Sequence, residues 1–508
     1  MSPFFASTLI DEPSNRELLA NVRPPGWRNP EPRGRYNLVV VGAGTAGLVA
    51  AAGAAGLGAR VALVERALMG GDCLNVGCVP SKALIHSARA AAEVRAAARC
   101  GIRLPGPTVI DFEAAMERVR AVRAVISPHD SARRFAEHYG VDVFFGDARF
   151  TARDAIEVAG ATLRFARAVV ATGARPAVPS IPGLAEAGFL TNETVFELGE
   201  LPPRLAVLGA GPIGCELAQA FARLGSRVTL VERADRALSR DDPEAVRVVC
   251  GALAEDGVDI RLSTNLERVS KGTTGPALHL RGPAAAAELE VDAILVAAGR
   301  MPNVEGLGLE AAGVDWDRDG VRVDDTLRTT NPKVYASGDV CLPHRFTHIA
   351  DAASRAVVQN ALFPGPKKRI SSLVVPWCTY TDPELGHVGL TFAGATERGL
   401  ALDTIRVEMS EVDRAAAEDD TRGFLEVHLE AGSDRILGAT LVGRHAGEVL
   451  SEITTAMVAG RGLRSFAAVI HPYPTRAEIV RKAADAYNRS RLSPTLAAIL
   501  RRWFAWRR

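Results

Sequence analysis

Short β-branched runs that end in glycine turns recur along the chain and predict its architecture. Tyr36–Val41 is apolar except for Asn37, the pattern of a strand buried on both faces of a parallel sheet. It feeds Gly42-Ala43-Gly44-Thr45-Ala46-Gly47, an Ala/Gly/Leu-rich helix, and a second strand Val61–Val64 that ends at Glu65. The same order returns at Arg204–Leu208, Gly209-Ala210-Gly211-Pro212-Ile213-Gly214, a helix through Leu224, and the strand Arg227–Val231 ending at Glu232. Ala168–Val170, Ala293–Val296 and Val334–Ala336 each run into a further glycine turn, at Ala171-Thr172-Gly173, Ala297-Ala298-Gly299-Arg300 and Ser337-Gly338-Asp339. Such turns belong at the carboxyl edge of an open sheet. Beyond about residue 370, alternating short strands (Arg406–Met409, Phe424–Leu429, Ile436–Val442) and helices predict a separate α+β domain. Residues 1–35 are polar and proline-rich and read as an extended leader over the surface. Ser493-Pro494 is a helix start, after which Leu496, Ile499, Leu500, Trp503 and Phe504, with Leu492 before them, line one face.

Each strand–glycine turn–helix–strand–acid unit has the context a dinucleotide site requires. Gly42 and Gly209 permit the tight turn, Gly44 and Gly211 let a pyrophosphate approach the backbone, and Gly47 and Gly214 let the helix pack closely. Glu65 and Glu232 are placed to accept hydrogen bonds from a ribose. One fingerprint alone is weak; two copies with the right flanks imply two dinucleotides. At the second, Glu232 would repel a 2′-phosphate and points to NADH, whereas Arg233 and Arg236 could hold that phosphate and point to NADPH.

The densest chemistry lies in Gly70-Gly71-Asp72-Cys73-Leu74-Asn75-Val76-Gly77-Cys78-Val79-Pro80-Ser81-Lys82. Cysteines five apart face opposite sides of a strand, but on an irregular turn leading into a helix both sulfurs could meet and form a bridge. The second sulfur would lie in the field of the helix N-terminus, which favours its thiolate. That design suits a redox-active disulfide. The alternatives are two buried structural cysteines or half of a zinc site; zinc usually takes two close pairs, and Cys100, Cys215, Cys250, Cys341 and Cys378 are scattered. No metal ligand set is assigned.

Composition narrows the class. A formal net charge of +1 over 508 residues indicates no general attraction to nucleic acid. Seven cysteines in a chain of this length do not make a secreted disulfide framework. No apolar run reaches the ~18 residues of a membrane span, and Met1–Ala20 lacks a signal-peptide pattern. These readings predict a soluble, cytoplasmic protein. Residues 481–508 carry eight Lys or Arg against one Asp, so the tail can lie on an anionic membrane surface, pack on a dimer, or stay solvated.

With its flanking motifs, the run Gly71–Lys82 resembles the flavin-dependent pyridine nucleotide–disulfide oxidoreductases, over roughly residues 36–488. It is most similar to the mercuric-reductase-like branch, with dihydrolipoyl dehydrogenases next. The resemblance implies FAD on the first unit (Gly42, Gly44, Gly47, Glu65, Gly71, Asp72), with Thr172, Gly173, Gly338 and Asp339 near it. It implies NADH or NADPH on the second (Gly209, Gly211, Gly214, Glu232), with Arg300 among the cofactor-binding residues. Electrons would pass from nicotinamide to flavin to the Cys73–Cys78 disulfide. Cys78 would be the charge-transfer thiolate nearer the flavin, and Cys73 the more exposed sulfur that meets the acceptor. Lys82 would lie beside the flavin with Glu216 as its partner; for Glu216 the plain alternative is a solvated helix residue. A homodimer would complete each site through the C-terminal domain.

The expected fold class is therefore α/β, with two Rossmann-like dinucleotide-binding domains and a C-terminal α+β dimerisation domain. The expected segments are a leader at 1–35, an FAD domain at 36–195 and 323–370, a nicotinamide domain at 196–322, an interface domain at 371–490 and a tail helix at 491–508. The informative departure is His471-Pro472-Tyr473-Pro474-Thr475-Arg476-Ala477-Glu478. Dihydrolipoyl dehydrogenases carry a histidine five residues before the glutamate, where this chain has Tyr473. A phenol with an ordinary pKa near ~10 is a poor proton shuttle at neutral pH, and His471 reads as structural. Mercuric reductases also carry tyrosine here but end in a cysteine pair, whereas the last cysteine here is Cys378. Cys378 is a buried free thiol or a third redox group. The acceptor is thus a soft metal ion or a small disulfide, with a membrane-docked electron-transfer flavoprotein serving a quinone or protein as the other class.

Overall fold

The structure, a computed structural model, describes residues 9–283 and 286–508. It divides into two compact units, one comprising residues up to 235 with 258–373, the other 236–257 with 374–508.

In the first unit, strands Asp142–Phe145, Val61–Glu65, Arg35–Val41, Ala161–Val170 and Val334–Ala336 lie side by side and parallel. Two antiparallel strands, Ala155–Val158 and Ala148–Ala152, extend from Ala161–Val170. The four strands Asp259–Arg261, Arg227–Val231, Arg204–Leu208 and Ala293–Val296 form the second parallel sheet. Both nucleotide-type strands are buried almost throughout, as their apolar runs require: Val39, Val40, Ala206 and Val207 have no exposed surface. A three-stranded antiparallel sheet (Asn265–Lys271, Pro276–Arg281, Ala286–Glu290) caps the second core through Leu266, Leu278 and Leu280.

The leader does not run extended as expected. Pro13–Val22 is an α-helix with Pro13 in its first turn, and Leu18 and Val22 are fully buried; each such burial is worth about 1.5–3 kcal/mol. The proline-rich stretch after it masked this short amphipathic segment. Residues 1–8 lie outside the described residues. The helix is tied in through the fully buried Arg123, which donates to Asn15 Oδ1 (2.9 Å), to Glu197 Oε1 (2.5 Å) and to the carbonyl of Asn75 (2.9 Å). Asn15 Nδ2 donates in turn to Glu197 Oε2 (3.0 Å). One guanidinium thus links the leader helix to the turn that carries Cys73.

In the second unit, Pro376–Thr379, Glu384–Gly389, Ile436–Gly443, Phe424–Glu430 and Leu402–Glu408 make a five-stranded antiparallel sheet. The predicted strands at 406, 424 and 436 are present with shifted ends. Helices Ala446–Val458 and Glu478–Ser490 cover the sheet with Leu450, Ile453, Ile479, Val480 and Ala483. The helix Pro243–Glu255 follows the second nucleotide-type unit in sequence but packs with this sheet, where Glu244 pairs with Arg406 (2.5 Å) and Asp241 accepts from Trp377 Nε1 (2.7 Å). The helix Pro494–Trp506 begins at Ser493, whose hydroxyl accepts from Leu496 N (3.1 Å), as its sequence predicts.

Arg123→Leu takes from the buried Glu197 carboxylate its one cationic partner among the described residues, leaving only the Asn15 and Ile10 hydrogen bonds. Urea unfolding is expected to show a loss of about 3 kcal/mol or more, and an unchanged midpoint would remove Arg123 as the link.

Candidate active site

The two cysteines occupy the turn and helix start that their spacing predicts. Cys73 lies in the short helical turn Gly71–Asn75, and Cys78 is the first residue of the 19-residue helix Cys78–Ala96. Gly77 separates them; a Cβ there would stand 2.7 Å from the Asp72 carbonyl oxygen, so only glycine lets the chain double back. The buried Asn75 side chain closes the turn by donating to the Met69 (3.0 Å) and Gly71 (2.8 Å) carbonyls.

This turn rests directly on the first glycine loop. Gly70 N donates to the Ala43 carbonyl (2.8 Å), and Gly44 and Gly70 form a parallel bridge. A Cβ on Gly71, whose φ is +57°, would lie 2.6 Å from Gly44 Cα. In the loop itself, a Cβ on Gly42 would meet the Ala171 carbonyl oxygen at 2.4 Å and one on Gly47 the Gly42 oxygen at 1.7 Å. The second loop repeats this at Gly209 (2.6 Å from Ala297 O) and Gly214 (1.9 Å from Gly209 O). Gly211 is different: its Cβ would meet nothing within 4 Å. No protein group demands glycine there, which suits a position kept bare for a ligand. The helices that follow, Thr45–Gly56 and Pro212–Leu224, have glycine at the N-cap and no side-chain cap, leaving N–H groups for a phosphate. Both loops therefore fit dinucleotides.

The acids after each second strand take a position their sequence did not disclose. Glu65 accepts from Ala43 N and Ala67 N (both 2.7 Å), and Glu232 from Ala210 N (2.7 Å) and Ala234 N (2.8 Å). Each carboxylate clamps its own glycine loop and retains lone pairs for a ribose. Thr172 and Asn303 hydrogen-bond reciprocally, Oγ1 to carbonyl at 2.7 Å and Nδ2 to carbonyl at 2.9 Å, and Gly173 takes φ +66° beside them. Gly338, with φ +81°, packs so that a Cβ would lie 3.1 Å from that of Ala46. Arg300 joins Asp72 and Asp339, pairing closely with the first, approaching the second at 3.6 Å, and donating to the Ala174 carbonyl (2.7 Å). Burial works to raise the Asp72 carboxyl, but Arg300 holds it below the ordinary range; burial prevails at Asp339, which is raised.

Cys73 and Cys78 stand as free thiols that hydrogen-bond to each other. Cys78 Sγ also lies 3.3 Å from Thr347 Oγ1, at the first residue of the helix Thr347–Leu362. Two helix N-termini therefore converge on this sulfur, and both favour negative charge. Lys82, one turn along from Cys78, pairs with Glu216 (Nζ–Oε2 2.8 Å), and Glu216 is nearly buried. The solvated-residue alternative for Glu216 is thus set aside. The hydrogen bond from Cys73 brings the Cys78 thiol down to about 6 against desolvation of its inner side, with Thr347 and Lys82 adding to the effect. Cys73, donating to that thiolate and partly buried, is pushed up.

As residues, Cys78 is exposed and Cys73 partly buried. Thr347 was not singled out from sequence; it stands 269 residues from Cys78, and no spacing links the two.

In the second unit, Tyr473 is 71% exposed and its hydroxyl donates to Asp413 Oδ2 (2.9 Å), which raises the phenol further. Glu478 is buried and binds Arg481 (2.7 Å) rather than Tyr473. His471 pairs with Glu452 (3.0 Å). Cys378 is a partly buried thiol on a strand. Among the described residues, no group of three or more His, Cys, Asp or Glu is placed to hold a metal ion.

A dithiol at a helix start beside one of two dinucleotide loops defines a flavoprotein disulfide reductase. The family model "Pyridine nucleotide-disulphide oxidoreductase" matches residues 36–361, and the family's dimerisation domain matches 375–484. The chain belongs to this family, an enzyme family that uses FAD with NAD(P)H as electron donor. It is 37% identical to the mercuric reductase of Streptomyces lividans over 463 residues, covering 89% of this chain and 96% of that one. To the dihydrolipoyl dehydrogenase of Chlamydia muridarum it is 32% identical, covering 88% and 96%. The Escherichia coli HOCl-induced flavoprotein disulfide reductase RclA superposes with a TM-score of 0.79 at 30% identity, covering 89% of this chain and 99% of that one. Its Cu(II) complex gives 0.78 at 31%, covering 88% and 98%.

In the reduced protein, iodoacetamide labelling of Cys78, followed by mass spectrometry, should titrate with a midpoint near pH 6. Lys82→Met removes a positive charge that favours the thiolate, so the midpoint should rise; a fall would reverse the assignment.

Proposed function

We propose that this enzyme passes electrons from NAD(P)H through bound FAD and the Cys73–Cys78 couple to a soft metal ion. Bound FAD would supply the hydride chemistry that no side chain can perform. The chain's own residues arrange the sulfurs: Gly77 doubles the chain back, Thr347 and the helix start hold the Cys78 thiolate, and Glu216 fixes Lys82 beside it.

The observation that carries the choice of acceptor is the contrast between the two thiols and Tyr473. Cys73 keeps its proton near neutrality. A disulfide acceptor needs a base to take that proton, and a phenol held above its ordinary range cannot serve. A soft cation displaces thiol protons itself and needs no such base. The mercuric reductase relatives and the Cu(II) complex of the E. coli neighbour are consistent with this reading.

A homodimer fits the dimerisation-domain match and the apolar residues that the second unit leaves at its surface, among them Val458, Val469, Ile470 and Tyr473. The nicotinamide is NADH on the strength of Glu232, whose carboxylate stands at the second loop.

The reading is tested by comparing NADH and NADPH oxidation with Hg²⁺, Cu²⁺, lipoamide and glutathione disulfide. A metal ion should be the best acceptor, with at least about 100-fold loss in Cys73→Ser, within the range seen when a nucleophile is removed. Lipoamide or glutathione disulfide turning over fastest would assign the enzyme to small-disulfide reduction instead.

A further inference from the structure

The C-terminal helix Pro494–Trp506 has no part in the chemistry described above and no buried residue. The helix before it, Glu478–Ser490, packs Ile479, Val480, Ala483, Ala484 and Tyr487 into the core of its unit. After Leu492 that packing stops. Leu496, Ile499, Leu500, Trp503 and Trp506 recur at helical spacing and fall on one face, with Phe504 at its edge, and all six remain exposed. The Trp503 and Trp506 rings lie 5.4 Å apart and present one aromatic surface. Arg501 and Arg502 flank the opposite side, and the Arg507 guanidinium sits 5.7 Å from the Trp503 ring centroid.

Charge selects the occupant of this face. Residues 481–508 hold eight Lys or Arg against one Asp, so the preceding 480 residues hold 52 Lys or Arg against 58 Asp or Glu. The body is acidic and the tail basic. Two such helices paired through the apolar strip would leave the arginines of both without a counter-charge. An anionic bilayer surface neutralises those arginines while its acyl boundary takes the leucines and indoles, the combination that interfacial helices use. Tryptophan is at home at that depth. Among the described residues no helix is long and apolar enough to cross a membrane, so this element would lie in the surface plane. We propose that Pro494–Trp506 is an interfacial anchor that docks the enzyme on anionic phospholipid.

The test is co-sedimentation of the full-length holoenzyme with phosphatidylglycerol–phosphatidylcholine vesicles and with phosphatidylcholine vesicles alone. The anionic vesicles should bind about tenfold more protein or better at low salt, and lose it at 1 M salt, as expected for several arginines at a charged surface. Trp503 emission should shift to the blue on binding. A chain ending at Leu492, the pair Trp503→Ala with Phe504→Ala, and the pair Arg501→Glu with Arg502→Glu should each stay in the supernatant while retaining NAD(P)H oxidation. Equal sedimentation of the shortened chain, or no binding of the intact one, overturns the proposal. So does conversion of a dimer to a monomer by the tail variants without any effect on vesicles, which would make the face a contact between copies.

Discussion

Two backbones that meet with no side chain between them, at Gly44 and Gly71, hold the redox turn against the first dinucleotide loop. The contact leaves no room for a Cβ on Gly71, and the Gly70–Ala43 hydrogen bond runs alongside it. Everything chemical about the site follows from that closeness. It sets Cys73 in a turn whose only exit, past Gly77, begins the helix that carries Cys78 and Lys82. Arg123 then braces the turn from behind, through the Asn75 carbonyl, and ties it to the N-terminal helix.

The pair of sulfurs is made unequal by its surroundings rather than by residue type. Cys78 has two helix N-termini, a hydroxyl and an ammonium around it; Cys73 has a thiolate to donate to. Such a pair keeps one sulfur ionised and one protonated near neutral pH, a division of labour suited to a couple that must both hold charge and meet an acceptor. The two nucleotide loops show the opposite principle, sameness. Glu65 and Glu232 clamp their loops with matching pairs of hydrogen bonds, so one solution to loop rigidity occurs twice in one chain.

What was legible in the sequence was whatever depends on short-range spacing. The strand–glycine–helix units, the helix start at Cys78 and the position of Lys82 one turn later follow from local pattern alone. Glu216 as its partner came from the family resemblance. What could not be read depends on contacts made across the fold. Pro13–Val22 has only a few apolar positions, and its place is fixed by Arg123 and Glu197, more than 100 residues on. Thr347 reaches Cys78 only because the sheet brings Val334–Ala336 beside Ala161–Val170 and delivers the next helix to the same edge.

The central claim is that reducing equivalents reach the acceptor through a reversible bond between the sulfurs at 73 and 78. Thiol mass-tagging of the oxidised holoenzyme, before and after stoichiometric NAD(P)H under anaerobic conditions, tests it most directly. The peptide spanning both cysteines should carry no tag at first and two tags afterwards, with the other cysteines unchanged. Two tags before any reductant, or none after it, would contradict the claim.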